Sequence, residues 1–161
     1  MANVLVDLFR HNTWANERLL ACCAELDDAQ LDATGGGTFG SVRDTLVHLF
    51  AAQGRYVDSL TGQRPVPMVW EDDPWPGFET LRASAQASHQ GLEEVAARAD
   101  SMKPISREWQ GQQVELPVAL LLTQAINHAT EHRAHINTIL TQAGVEPVAL
   151  DGWAWNDAGL V

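Results

Sequence analysis

Residues 117–144 read PVALLLTQAINHATEHRAHINTILTQAG, and this stretch decides the fold. Val118, Leu121, Leu122, Ala125, Ile126, Ala129, Ile136, Ile139 and Leu140 recur at the spacing that places them on one side of a helix. Pro117 suits the opening of that helix, where its missing N–H has no partner to lose, and Gly144 followed by Pro147 ends it. A long helix with one apolar face must bury that face against other elements.

Three more helical patterns lie upstream. Val4, Leu8, Ala15, Leu19, Cys22 and Leu26 mark a first helix from about residue 3 to 26. Ser41 caps the second, with Asp44 completing a capping box, and that helix runs to about Leu60. Its apolar face is Val42, Leu46, Leu49, Phe50, Gln53, Val57 and Leu60. The third begins near Gly77 and shows Phe78, Leu81, Ala85, Leu92, Val95 and Ala99 as its buried side up to about Ala99. Gly35-Gly36-Gly37 separates the first two helices. Four prolines with Met68, Trp70 and Trp75 make the 61–76 connection an ordered one. The alternation from Trp109 to Leu116 is compatible with a short hairpin between helices three and four. The expected fold is all-α, a four-helix bundle forming a single domain over residues 1–161. Its long connections imply at least one crossover, because simple antiparallel neighbours are joined by about 2–8 residues.

Ten basic against twenty-one acidic residues leave a formal charge of -11, which disfavours nucleic acid and anionic lipid as partners. No apolar stretch reaches the roughly 18 residues of a membrane span, and the N-terminus lacks the pattern of a signal peptide, so a cytoplasmic location is expected. Cys22 and Cys23 are neighbours and are expected to be reduced, with Cys23 packed in the core.

The apolar stripe of the last helix passes through His128 and His132, four residues apart on one face. Burying imidazoles there without partners costs free energy that metal ligation or hydrogen bonding must offset. Chance also produces such pairs, so ordinary helical histidines remain an alternative. His48 points away from the centre of its helix's apolar stripe, and Ser41, Thr45 and Ala52 beside it are small, which fits either a cleft or an exposed position. His135 shares the face of His132 and could replace one ligand, whereas His11 and His89 lack partners at ligand spacing and read as solvated. The string His128-x-x-Glu131-His132 also satisfies an inverted zinc-protease pattern with Glu131 as general base. The chain is short for such an enzyme, and a solvated Glu131 is the simpler reading.

Asn12-Thr13-Trp14-Ala15-Asn16-Glu17-Arg18-Leu19-Leu20, Ser41-Val42-Arg43-Asp44-Thr45-Leu46-Val47-His48, Asn127-His128 through His132-Arg133, and Leu150-Asp151-Gly152-Trp153-Ala154 together resemble the DinB/YfiT-like superfamily. The resemblance spans nearly the whole chain in order. It implies an up-down-down-up bundle, often a homodimer, with a three-histidine site for nickel, zinc or a similar divalent ion. By position the ligands carry over to His48, His128 and His132. Family members often carry a histidine where this chain has Gln124 and a glutamine where it has His135. Characterised relatives include transferases and isomerases that use low-molecular-weight thiols such as bacillithiol or mycothiol. The expected function is therefore metal-dependent activation of a thiol or of water, with a small-molecule thiol or electrophile as partner. Trp70, Trp75, Trp153 or Trp155 could wall the cleft, although packing in the core or docking of the tail is the favoured reading for them. A non-catalytic metal-binding or small-ligand-binding module is the alternative. No residue is singled out as general base.

Overall fold

The computed structural model describes residues 3–159, and the chain is mostly helical. Four long helices, α1 (Val4–Cys23), α3 (Val42–Thr61), α4 (Gly77–Arg98) and α5 (Val118–Gln142), supply most of the core. Two short helices, α2 (Asp28–Leu31) and α6 (Gly152–Asp157), lie in a connection and in the C-terminal segment. The first helix is shorter than the pattern suggested, ending at Cys23. Asp27 then restarts a single turn by capping Gln30 in a reciprocal box. The Ser41 and Asp44 capping box at the start of α3 forms as read, and Gly62 closes that helix in the left-handed conformation, φ 72°. Among the described residues no helix is long and apolar enough to cross a membrane.

The hairpin is present and longer than the alternation indicated. Strand β1 (Ile105–Trp109) pairs antiparallel with β2 (Gln112–Leu116), in a register that sets Ile105 opposite Leu116. Gln110 and Gly111 form the two-residue turn, both with positive φ, the geometry that matches the twist of a tight hairpin.

Each of α1 and α3 packs against both α4 and α5. The contact between α3 and α4 is close enough that a Cβ added at Gly91 would lie 2.7 Å from Cγ1 of Val57, so only glycine fits there without displacement. The apolar core falls into two clusters. One contains Leu19, Leu46, Phe50, Leu81, Ile136 and Leu140, and the other Phe9, Val57, Leu92, Val95 and Leu122. Along α1 the chain meets the second cluster and then the first. Along α3 and α4 it meets the first and then the second, and along α5 the second and then the first.

Between the clusters lies a buried polar belt drawn from all four long helices. Arg133, 4% exposed, donates from Nη1 to Asn12 Oδ1 and Asn16 Oδ1, both at 2.7 Å, and from Nη2 to Thr130 Oγ1 at 3.0 Å. Asn16 Nδ2 donates to Gln53 Oε1 at 2.5 Å and lies 3.1 Å from His89 Nε2, while Gln53 Nε2 donates to Ser88 Oγ at 3.2 Å. These bonds explain why the apolar stripe read for α1 holds at Ala15 and Leu19 but fails in the first turns. Val4 and Leu8 are 71% and 47% exposed, because Asn12 and Asn16 take interior positions and turn Phe9, Leu20 and Cys23 inward. Both cysteines are free, and burial pushes the Cys23 thiol up to about 12.

Candidate metal centre

His128 and His132 stand one turn apart on α5, and His48 faces them from α3. The contact between those two helices is therefore what assembles the group. One ring nitrogen from each of the three lies within 4.8 Å of the others. His48 Nε2 and His128 Nε2 approach to 3.0 Å, and the rings of His48 and His132 are 4.6 Å apart at 71°. A tetrahedral ion about 2.0–2.1 Å from each nitrogen separates its ligands by roughly 3.4 Å, so small ring rotations bring these three to that spacing.

The electrostatics suit a cation. Burial holds the His128 imidazole down to about 4, aided by the neighbouring His132 and His48 rings and by Arg55. Burial and the His48 and His135 rings hold His132 to about 4 as well. Both rings are neutral at pH 7 and keep a lone pair for a ligand. The Nδ1 atoms of His128 and His132 are buried without a hydrogen-bond partner, a cost that an apolar residue at either position would avoid. A nitrogen-only donor set of this kind fits a divalent transition ion.

A cleft of about 240 Å³ opens beside His48, lined by Phe39, Arg43, Asp44, Val47, Glu71, Asp73 and Trp75 as well as His48 itself. Phe39 stacks on His48 with ring centroids 4.1 Å apart and meets His132 edge-on at 5.3 Å. Its backbone carbonyl accepts a hydrogen bond from Thr45 Oγ1, which ties the loop to α3. Arg43 lies over the Trp75 ring and is held by Asp28 and Asp32 at 2.5 and 2.6 Å. Of the tryptophans proposed as walls, only Trp75 lines this cleft. Trp70 sits under Arg64, Trp153 is 81% exposed, and Trp155 packs on His11.

Three other sequence readings change. His135 lies beside His132, with ring centroids 5.2 Å apart, but stands outside the converging group. His11 is not solvated, since its Nε2 lies 2.9 Å from the Leu150 carbonyl and anchors the C-terminal segment. His89 is 4% exposed inside the polar belt, where sequence spacing gave no sign of the asparagine and glutamine that would meet it. Glu131 is exposed and does not line the cleft, which leaves the protease string without its base. The sequence reading missed Phe39 and Glu71. Phe39 was legible as a lone aromatic in a glycine-rich loop, whereas nothing in the pattern around Glu71 marks it.

His89 gives the protein an acid sensitivity with a definite sign. Burial, then Arg133, lowers its pKa to about 4, below the roughly 6.5 of an unfolded histidine. Between those values the unfolded chain binds the extra proton, so stability is complete above the unfolded value and falls as pH drops toward 4. The expected loss from this ring is about 2 kcal/mol between pH 7 and pH 5. Urea melts at the two pH values should show a flatter dependence in His89→Gln, and an unchanged slope would mean that His89 is hydrated in solution.

A family model described as the DinB family matches residues 1–158. The fold is similar to the crystal structure of a DinB-like protein from Bacillus cereus ATCC 10987, with a TM-score of 0.67 at 19% sequence identity, covering 90% of this chain and 94% of that one. No curated protein matches. The match of the family model along nearly the whole chain, together with a shared fold and a histidine cluster that could hold a metal ion, establishes that this chain belongs to the DinB family.

Proposed function

We propose that the chain is a single-domain, metal-dependent four-helix bundle of up-down-down-up topology. In it His48, His128 and His132 hold a divalent ion and leave a position for a small-molecule thiol or water. The observation that carries this reading is the convergence of three imidazole nitrogens from two helices within 4.8 Å. The order in which α1, α3, α4 and α5 cross the two core clusters supports the topology. A bound ion of this kind supplies a Lewis-acid position that lowers the pKa of a thiol or water to near neutrality. The residues around it do the rest: Phe39 covers the His48 ring, and Trp75 and Val47 give the cleft an apolar wall for the body of an electrophile. The donor set suits nickel or zinc.

A second reading, a metal-binding module without turnover, draws support from the carboxylates near the cleft. Asp44 is occupied by the Ser41 cap, Glu71 by Arg55 and His48, and Asp73 by the Trp70 N–H, so each of the three already has a partner. Protein loaded with zinc or nickel should be assayed with bacillithiol, mycothiol, glutathione or coenzyme A plus alkyl or epoxide electrophiles. Turnover with at least one thiol, lost on chelation, is expected. A metal-dependent rise in melting temperature with neither turnover nor protection by any thiol would favour the module instead.

A further inference from the structure

Among the described residues, His48 is the one member of the triad whose second nitrogen has an acceptor beside it. Its Nε2 faces His128 Nε2 at 3.0 Å, toward the point where the three rings converge, and its Nδ1 lies 2.5 Å from Oε1 of Glu71. The approach is short but off the N–H axis, so it is a close polar contact and not an aligned hydrogen bond. A neutral imidazole carries one proton. If Nε2 offers its lone pair to an ion, that proton sits on Nδ1, facing the carboxylate.

Glu71 is held in place from two directions. Arg55, two turns beyond His48 on α3, donates from Nη2 to the same Oε1 at 2.8 Å. The turn that carries Glu71 closes on itself through Trp70 and Asp73, and buried Val69 anchors it to α4 by donating to Ser84 Oγ at 3.2 Å. His128 and His132 have no such partner, since their Nδ1 atoms lack any acceptor among the described residues.

We propose that Glu71, oriented by Arg55, is the positioning residue that fixes His48 in the Nδ1–H tautomer, so that Nε2 is its ligand atom. This rests on the three-histidine reading of the site. A carboxylate behind a ligating histidine orients the ring and raises its basicity, and losing one typically costs about 10–100-fold in metal affinity.

The test combines zinc titration by calorimetry with nitrogen-15 NMR of the histidine side chains in wild type, Glu71→Ala and Glu71→Gln. Glu71 is 41% exposed, so the variants retain their core. In wild type without zinc, His48 should show the Nδ1–H tautomer, and Glu71→Ala should shift it toward a mixture. Zinc affinity should fall about 10–100-fold in Glu71→Ala and recover in part in Glu71→Gln, whose carbonyl can face the same Nδ1–H without the charge. An unchanged tautomer and affinity in Glu71→Ala overturns the assignment while leaving the three-histidine site standing. Absence of zinc uptake by wild type overturns both.

Discussion

His48→Ala should lower the affinity for a divalent ion by at least about 100-fold, since removing a ligand exceeds the 10–100-fold typical of removing a ligand's hydrogen-bond partner. His128 and His132 remain as a one-turn pair on α5, able to bind an ion weakly, so the drop measures what the second helix adds. The stability effect should follow the metal and not the side chain. His48 is half-buried against exposed Phe39, so its truncation opens no enclosed cavity, and the melting temperatures of the two metal-free proteins should nearly coincide. With ion at 100 times its dissociation constant, wild type should gain about 2.7 kcal/mol that the variant largely lacks. Elemental analysis of protein purified without added metal, beside melting curves with and without a chelator, checks both halves. Equal metal content in His48→Ala would show that α3 takes no part in the site.

The parts of this molecule that were legible in the sequence are those governed by local periodicity and local hydrogen bonding. The face of α3 was read without error because every residue in its stripe is buried, Gln53 included, and the Ser41 cap needs only residues three apart. The face of α1 was read correctly at Ala15 and Leu19 but misread in its first turns, at Val4 and Leu8, for a definite reason. Its interior positions include Asn12 and Asn16, and polar residues are assigned to the surface unless their partners are known. Those partners, Gln53, His89 and Arg133, lie from 37 to 121 positions away, and no pattern in α1 announces them.

The histidine cluster divides along the same line. His128 and His132 are visible as a pair because one helix sets their spacing, but His48 sits at the margin of its own apolar stripe. Only the packing of α3 on α5 brings it to the pair. Phe39 and Glu71 come from connections, where side-chain direction depends on turns and anchors and not on a repeat.

Asn16→Ala should be the most destabilising single substitution outside the apolar core, at about 3–5 kcal/mol, from a hydrogen bond lost to a charged group, about 1.5–3 kcal/mol, together with the buried groups left unmet. Asn16 is completely buried and serves three neighbours at once. Its Oδ1 accepts from Arg133, and its Nδ2 meets Gln53 and His89. Among the described residues no carboxylate balances Arg133 in the belt. Its charge is carried by neutral oxygens, and burial has already brought its pKa down to about 10. Truncation at residue 16 leaves the guanidinium with Asn12 and Thr130, and removes the donor facing Gln53 Oε1 and His89 Nε2. Each unmet buried polar group adds about 1–3 kcal/mol, which outweighs the small gain in helix propensity from alanine. For a chain of this length the melting temperature should fall by roughly 10 °C. Arg133→Met separates charge from packing: it removes the buried cation while keeping an unbranched side chain, so Asn16→Ala should cost distinctly less in that background. Urea melts of the four proteins measure the coupling. A loss below about 1 kcal/mol for Asn16→Ala would mean that water enters the belt and replaces the amide.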